Sequence, residues 1–210
     1  MECLPVASNS EKRNGCDMAA LKTSYISLEP MKLVLLDRDG VVVVNRSTNI
    51  KQPSDLALID RASEGIRRLN GAGYAVAICT NQPEVGRGAM SQAQLEIVHA
   101  ALEKRLREGG AVIDRVFSCT SFRKCPRRKP AGRMLEEALA HYGARAADTP
   151  FVGDQADDLK AAFHVGCRRI LVKTGLGTKA LAAGLPGYLS PFVIAADLFA
   201  AALGIIDGRS

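Results

Sequence analysis

The chain has 210 residues, 47% of them hydrophobic, which suits one α/β core and would cramp two. Lys and Arg outnumber Asp and Glu by 28 to 22, and the net charge of +6 points to an anionic partner; with no Trp and 5% aromatic residues, the stacking surfaces of a single-strand nucleic-acid binder are scarce. No apolar run approaches the roughly 20 residues of a membrane span and no basic-then-apolar leader opens the sequence, so a cytoplasmic protein without membrane contact is expected.

Residues 1–30 carry no sustained period and end at Pro30, just before a second possible start at Met31; they read as a loosely ordered extension, and residues 31–210 as the folded domain. From Met31 onward strand-like and helix-like segments alternate, the pattern of a doubly wound, mostly parallel sheet. KLVLLD is the first strand. DRASEGIRRLNGAG sets Ala62, Ile66 and Leu69 on one helical face and stops in glycines, before a second strand, YAVAICT. SQAQLEIVHAALEKRLREGG is an amphipathic helix with Ser91 as its N-cap and Gly109 and Gly110 as its stop. The strand AVIDRVFSC, a basic loop and the helix AGRMLEEALAHYG follow. TPFVGD is a short buried strand opening into the helix QADDLKAAFHVG, RRILVKTG closes the sheet, and the chain from Leu181 onward is expected to be helical cover.

Six cysteines are scattered without a CxxC pair, which fits reduced thiols better than a disulfide framework. Cys79 and Cys167, in or beside apolar runs, read as small hydrophobes.

In an open α/β sheet, ligands bind beyond the carboxyl ends of the strands, where this sequence places Asp37, Thr80 and Asp154. Gathered aspartates repel one another unless a hard cation neutralises them, and oxygen-only ligation suits Mg²⁺, with Asp37, Asp39 and Asp154 as the expected ligands. A metal admits a phosphate. Asp37 is then a carboxylate nucleophile, and Asp39, freed to turn by Gly40, protonates the leaving alcohol and later activates water. Thr80 and Asn81 offer a hydroxyl and an amide to the phosphoryl oxygens, Lys129 offers a fixed positive charge, and Asp158 supports Asp154 from one helical turn on.

DRDG, TNQ, RKP and GDQADD, in that order, resemble the haloacid dehalogenase superfamily of aspartate-nucleophile phosphatases over about residues 31–175. The resemblance implies a Rossmann-like core and Mg²⁺-dependent hydrolysis of a phosphomonoester through an aspartyl-phosphate. The gaps after the first and second strands are too short for a cap domain, so an open, capless site is expected. TNQPEVGRG and RRKPAGRMLEEA look most like the capless subgroup acting on heptose 1,7-bisphosphate and histidinol phosphate. That likeness implies a monomer with a small phosphorylated sugar as its partner, loss of the 7-phosphate, and a product used for heptose nucleotides of lipopolysaccharide. It implies substrate binding by Gln82, and places Arg87 and Gly88 in the substrate loop and Arg128 on the remote phosphate or the sugar. Arg123 and Lys124 read as solvated surface charges.

Three positions depart from the subgroup's pattern. Its zinc loop is reduced to Cys119 and Cys125, with His99, His141 and His164 elsewhere, and two thiolates do not complete a tetrahedral site, so no structural zinc is expected. Gln155 stands where a lysine is usual, and Val41 where a threonine is usual. Histidinol phosphate, another small phosphate ester or a polynucleotide 3′-phosphate remain alternative substrates. A phosphate-accepting receiver domain shares the strand-end aspartates but has no use for Asp39, which would hydrolyse the acyl phosphate it must keep.

Overall fold

The computed structural model describes residues 31–45 and 50–209; the expected extension over residues 1–30 lies outside the described residues. The strands are β1 (Leu33–Leu36), β2 (Ala75–Asn81), β3 (Arg115–Cys119), β4 (Pro150–Gly153), β5 (Arg168–Val172) and β6 (Val193–Ala195). The helices are α1 (Ala62–Gly71), α2 (Pro83–Gly86), α3 (Gln92–Glu108), α4 (Arg133–Tyr142), α5 (Ala156–Val165), α6 (Gly177–Ala183) and α7 (Leu198–Ile206). All strand pairs are parallel, in the order β3-β2-β1-β4-β5-β6. The expected mostly parallel sheet is thus wholly parallel among the described residues.

β1 is aliphatic throughout because both its faces are covered, as in a central parallel strand. Val34 and Leu36 pack with α1, α3 and α7 through Ile66, Leu102 and Leu198, while Leu33 and Leu35 face α4 and α5 through Met134, Leu135 and Ala161. The predicted cap of α3 forms: Ser91 Oγ accepts the Gln94 N–H at 3.1 Å, and Gln94 Oε1 accepts the Ser91 N–H at 2.7 Å. Cys79 and Cys167 lie in the core, where burial holds the Cys79 thiol far above its ordinary value and pushes Cys167 up to about 12.

The end of the chain differs from expectation. Instead of helical cover throughout, it supplies the edge strand β6, which pairs Ile170, Leu171 and Val172 with Val193, Ile194 and Ala195, and only then α7, capped by Asp197. Three apolar residues fit a helix and a strand equally well in sequence, and the open edge of β5 decides between them. Among the described residues the connection after β1 holds loops, the 3-10 turn Pro53–Asp55 and α1, and that after β2 holds α2 and α3, with no cap domain in either. Among the described residues no helix is long and apolar enough to cross a membrane.

Candidate active site

β1 and β4 adjoin where the strand order reverses, which in an open α/β sheet leaves a crevice beyond their carboxyl ends. Asp37 follows β1, its N–H bonded to the Val152 carbonyl at 2.9 Å, so the sheet ladder sets the direction of its side chain. Asp154 follows β4, Thr80 lies near the end of β2, and Lys129 precedes α4. All four are buried. A cavity of about 280 Å³ opens over Asp37, Thr80 and Lys129 and is walled by Gln82, Arg128 and Gln155.

The Lys129 ammonium lies 2.8 Å from Asp37 Oδ1 and 2.7 Å from Asp158 Oδ1. Burial disfavours its charge, but Asp158 and Asp37 outweigh that and hold its pKa above the ordinary lysine value. Burial, only partly offset by Lys129, pushes Asp37 up to about 7. Burial and the Asp158 charge likewise raise Asp154 to about 6. Such a cluster needs more positive charge than Lys129 carries.

Asp37, Asp154 and Asp158 each offer an oxygen within 4.8 Å of the others, the one such group of ion-binding side chains among the described residues. Asp158 is already committed: Oδ2 accepts the N–H groups of Asp154 and Gln155 at 3.1 and 3.0 Å, and Oδ1 faces Lys129. Asp154 Oδ2 accepts the Leu176 N–H at 2.8 Å, but its Oδ1 is buried with no hydrogen-bond partner. An orphaned buried carboxylate oxygen beside Asp37 fits a hard divalent cation. Two glycines make room for Asp154. A Cβ on Gly40 (φ +89°) would lie 2.0 Å from Asp154 Oδ2, and one on Gly175 (φ +57°) 2.1 Å from it.

Asp39 stands apart from this group. The Arg38 guanidinium, 1% exposed, binds both its carboxylate oxygens through Nη2 at 3.0 and 2.9 Å, and Gln82 Nε2 donates to Oδ2 at 2.8 Å. The expectation of Asp39 as a metal ligand therefore gives way, for its side chain, to a carboxylate held by two donors away from the cluster. Gln82 is fully used: its Oε1 accepts from Arg38 Nη2 at 2.9 Å, and Nε2 also donates to Thr80 Oγ1 at 2.9 Å. Asn81 is spent on the backbone of Lys129, donating to its carbonyl at 3.0 Å and accepting its N–H at 3.1 Å. Asn81, expected on a phosphoryl oxygen, instead positions Lys129, and Gln82, expected to bind substrate, holds Asp39. Arg87 directly follows α2, is exposed and pairs at 2.6 Å with Glu84; Glu84 lines the cavity but Arg87 does not, and its spacing in the motif says nothing of which way it points. Arg128 lines the cavity and donates to the Ser121 carbonyl at 3.0 Å.

Sequence reading missed Arg38 and His99. His99 Nε2, on α3, lies 3.2 Å from Arg38 Nη1, and burial, reinforced by the Arg38 charge, lowers its pKa to about 4, so a neutral ring accepts the Arg38 N–H. An arginine inside a buried-strand motif was the available signal for Arg38. Nothing in the sequence ties His99 to it, because sixty residues intervene.

A family model described as HAD-hydrolase-like matches residues 126–201. A D-glycero-beta-D-manno-heptose-1,7-bisphosphate 7-phosphatase from Pseudomonas aeruginosa is 38% identical over 156 residues, covering 73% of this chain and 88% of the relative. The chain belongs to the haloacid dehalogenase-like phosphatases. The Bordetella bronchiseptica enzyme of the same name is 36% identical over 156 residues, 73% of this chain and 87% of its own. A crystal structure of the B. bronchiseptica D,D-heptose 1,7-bisphosphate phosphatase complexed with magnesium and phosphate superposes with a TM-score of 0.80 at 35% identity, covering 85% of this chain and 99% of that one. A phosphatase of this family hydrolyses phosphate esters.

Proposed function

We propose that this phosphatase removes the 7-phosphate of D-glycero-D-manno-heptose 1,7-bisphosphate by way of an aspartyl-phosphate on Asp37, in the cytoplasm and as a monomer, supplying heptose nucleotides for lipopolysaccharide. The observation that carries the reading is the division of labour between two neighbouring aspartates. Asp37 is buried against Lys129 and Asp154, whereas Asp39 is held off by Arg38 and Gln82, keeps 26% of its side chain exposed and lines the cavity.

Asp37 Oδ attacks phosphorus as the sugar oxygen leaves, and Asp39 gives that oxygen its proton. Asp39 then takes a proton from water, which attacks the acyl phosphate and frees Asp37. Asp37 and Asp154 would hold Mg²⁺, which when bound neutralises charge on the phosphoryl oxygens. Lys129 adds a fixed charge on the same side, the Thr80 hydroxyl donates to a phosphoryl oxygen, and Asp158 fixes Lys129 and the backbone of Asp154. Structural zinc is left out of this reading, since Cys119 and Cys125 offer two ligands.

Arg128 is the side chain we assign to the second phosphate, because it is an arginine that lines the cavity. The small concave pocket suits a sugar phosphate better than a polynucleotide track. Part of the basic loop is also neutralised internally, Arg127 lying 3.0 Å from Glu137. The test is Mg²⁺-dependent phosphate release from heptose 1,7-bisphosphate, histidinol phosphate and a 3′-phosphorylated oligonucleotide. Highest kcat/KM on the heptose, with Asp37→Asn inactive but folded, is expected; a higher value on either other ester overturns the substrate, and an active Asp37→Asn protein overturns the mechanism.

A further inference from the structure

We propose that Cys119 and Cys125 form an oxidation-sensitive dithiol that closes to an intramolecular disulfide and reshapes the wall of the phosphate pocket. Their Sγ atoms lie 3.6 Å apart, in van der Waals contact, and bonding requires an approach to about 2 Å. In reducing cells such pairs are transient and regulatory rather than structural.

The two thiols differ in the way an attacking and a resolving cysteine must. Cys119 ends β3 and is 3% exposed, and burial raises its thiol above the ordinary value. Cys125 is more open to solvent; slight burial opposes its ionisation, but the Cys119 thiol and the backbone N–H groups of Arg128 and Arg127 outweigh that and lower it.

The loop that the bond would close is tied at three points, two of them to residues that line the pocket. The Cys119 carbonyl accepts the Gln82 N–H at 2.7 Å, the Thr120 carbonyl accepts the Gly86 N–H at 3.0 Å, and the Ser121 carbonyl accepts from Arg128 Nη1 at 3.0 Å. Gln82 and Arg128 line the cavity, so a shift of the loop reaches two of its lining residues.

The oxidant class is a peroxide. The Cys125 thiolate attacks one oxygen of hydrogen peroxide, the O–O bond breaks, and the departing hydroxide takes a proton to become water, leaving a sulfenic acid. The Cys119 sulfur attacks that sulfenic sulfur, and the displaced hydroxyl leaves as a second water with the Cys119 proton. Two thiols and one peroxide thus become one disulfide and two waters.

The test treats the full-length protein with hydrogen peroxide, alkylates the remaining thiols, and maps peptides by mass without reduction. A Cys119–Cys125 crosslink reversed by dithiothreitol is expected, with KM for heptose 1,7-bisphosphate raised at least about threefold and kcat changed less. Cys125→Ser should match the reduced parent and ignore peroxide. Free or over-oxidised Cys119 and Cys125 after treatment overturn the proposal, as does a crosslink that leaves KM unchanged. The effect on KM rests on the substrate reading above, the bond does not: should the reduced enzyme ignore the heptose ester, the crosslink is still scored by mass. Its effect is then read from kcat/KM for para-nitrophenyl phosphate, where no change again overturns the switch.

Discussion

Replacing Lys129 by Met keeps most of the aliphatic stem and deletes the charge between Asp37 and Asp158. Both ion-pair distances are under 3 Å and all three side chains are buried, so the substitution leaves two carboxylates without their cation. Removing one partner of a buried pair costs about 3–5 kcal/mol. In a domain of this size each kcal/mol moves Tm by about 2–4 °C, so a fall of roughly 6–20 °C is expected without metal. The deficit should depend on pH. Asp37, raised by burial to about 7 from 3.8, binds more protons folded than unfolded across that interval, so its contribution to stability falls as pH rises through it. Losing Lys129 extends that interval upward. The Lys129→Met deficit is therefore smaller near about pH 5, where Asp37 can stay protonated, than near about pH 8. Mg²⁺ binds only the folded site and should recover part of the loss. Thermal unfolding by circular dichroism at both pH values, with EDTA and with Mg²⁺, measures all of this, and kcat on the phosphate ester should drop about 10²–10³-fold. A Tm within about 2 °C of the parent at high pH without metal would refute the picture of a buried, mutually dependent triad.

Three further outcomes follow from the same geometry. Asp39→Asn retains the nucleophile but lacks the base for the second step; on para-nitrophenyl phosphate, whose leaving group needs no proton, the phosphoryl group should therefore remain on Asp37, visible in the intact mass of acid-quenched protein, with turnover down about 10²–10⁴-fold; a quenched protein free of phosphate at that reduced rate would argue against Asp39 in dephosphorylation. Gly40→Ala forces a Cβ to 2.0 Å from Asp154 Oδ2 at φ +89°, and should weaken Mg²⁺ binding by calorimetry about 10–100-fold; unchanged affinity would remove Asp154 from the metal site. His99→Ala deletes the acceptor that orients Arg38 and hence Asp39, so kcat should fall about tenfold with KM little changed and His99→Gln should recover part of it. Because the folded pKa of His99 is about 4 against 6.5, its contribution is present above about pH 6.5 and is lost as pH falls through about 4; His99→Ala should flatten that acid limb of the Tm profile, and an unaltered limb would contradict a buried neutral ring.

The order of the strands and the longer helices from β1 to β5, the N-cap of α3 and the positions of Asp37, Thr80 and Asp154 at strand ends were legible in the sequence, because each follows from local signals: aliphatic runs that only a two-sided sheet can bury, a serine before an amphipathic run, and polar residues where such runs stop. The edge strand β6 was not legible, since three apolar residues carry no period long enough to distinguish strand from helix and only the unpaired edge of β5 selects one. The site divides in the same way. Residue types at fixed spacing determined that the carboxylates of Asp37, Asp154 and Asp158 gather at the ends of the central strands. Only the tertiary structure decided that Asn81 and Gln82 serve Lys129 and Asp39, that Asp39 leaves the carboxylate cluster for Arg38, and that His99 of α3 backs Arg38. Which donor meets which acceptor depends on side-chain directions and on contacts between segments distant along the chain, and neither is encoded in spacing alone.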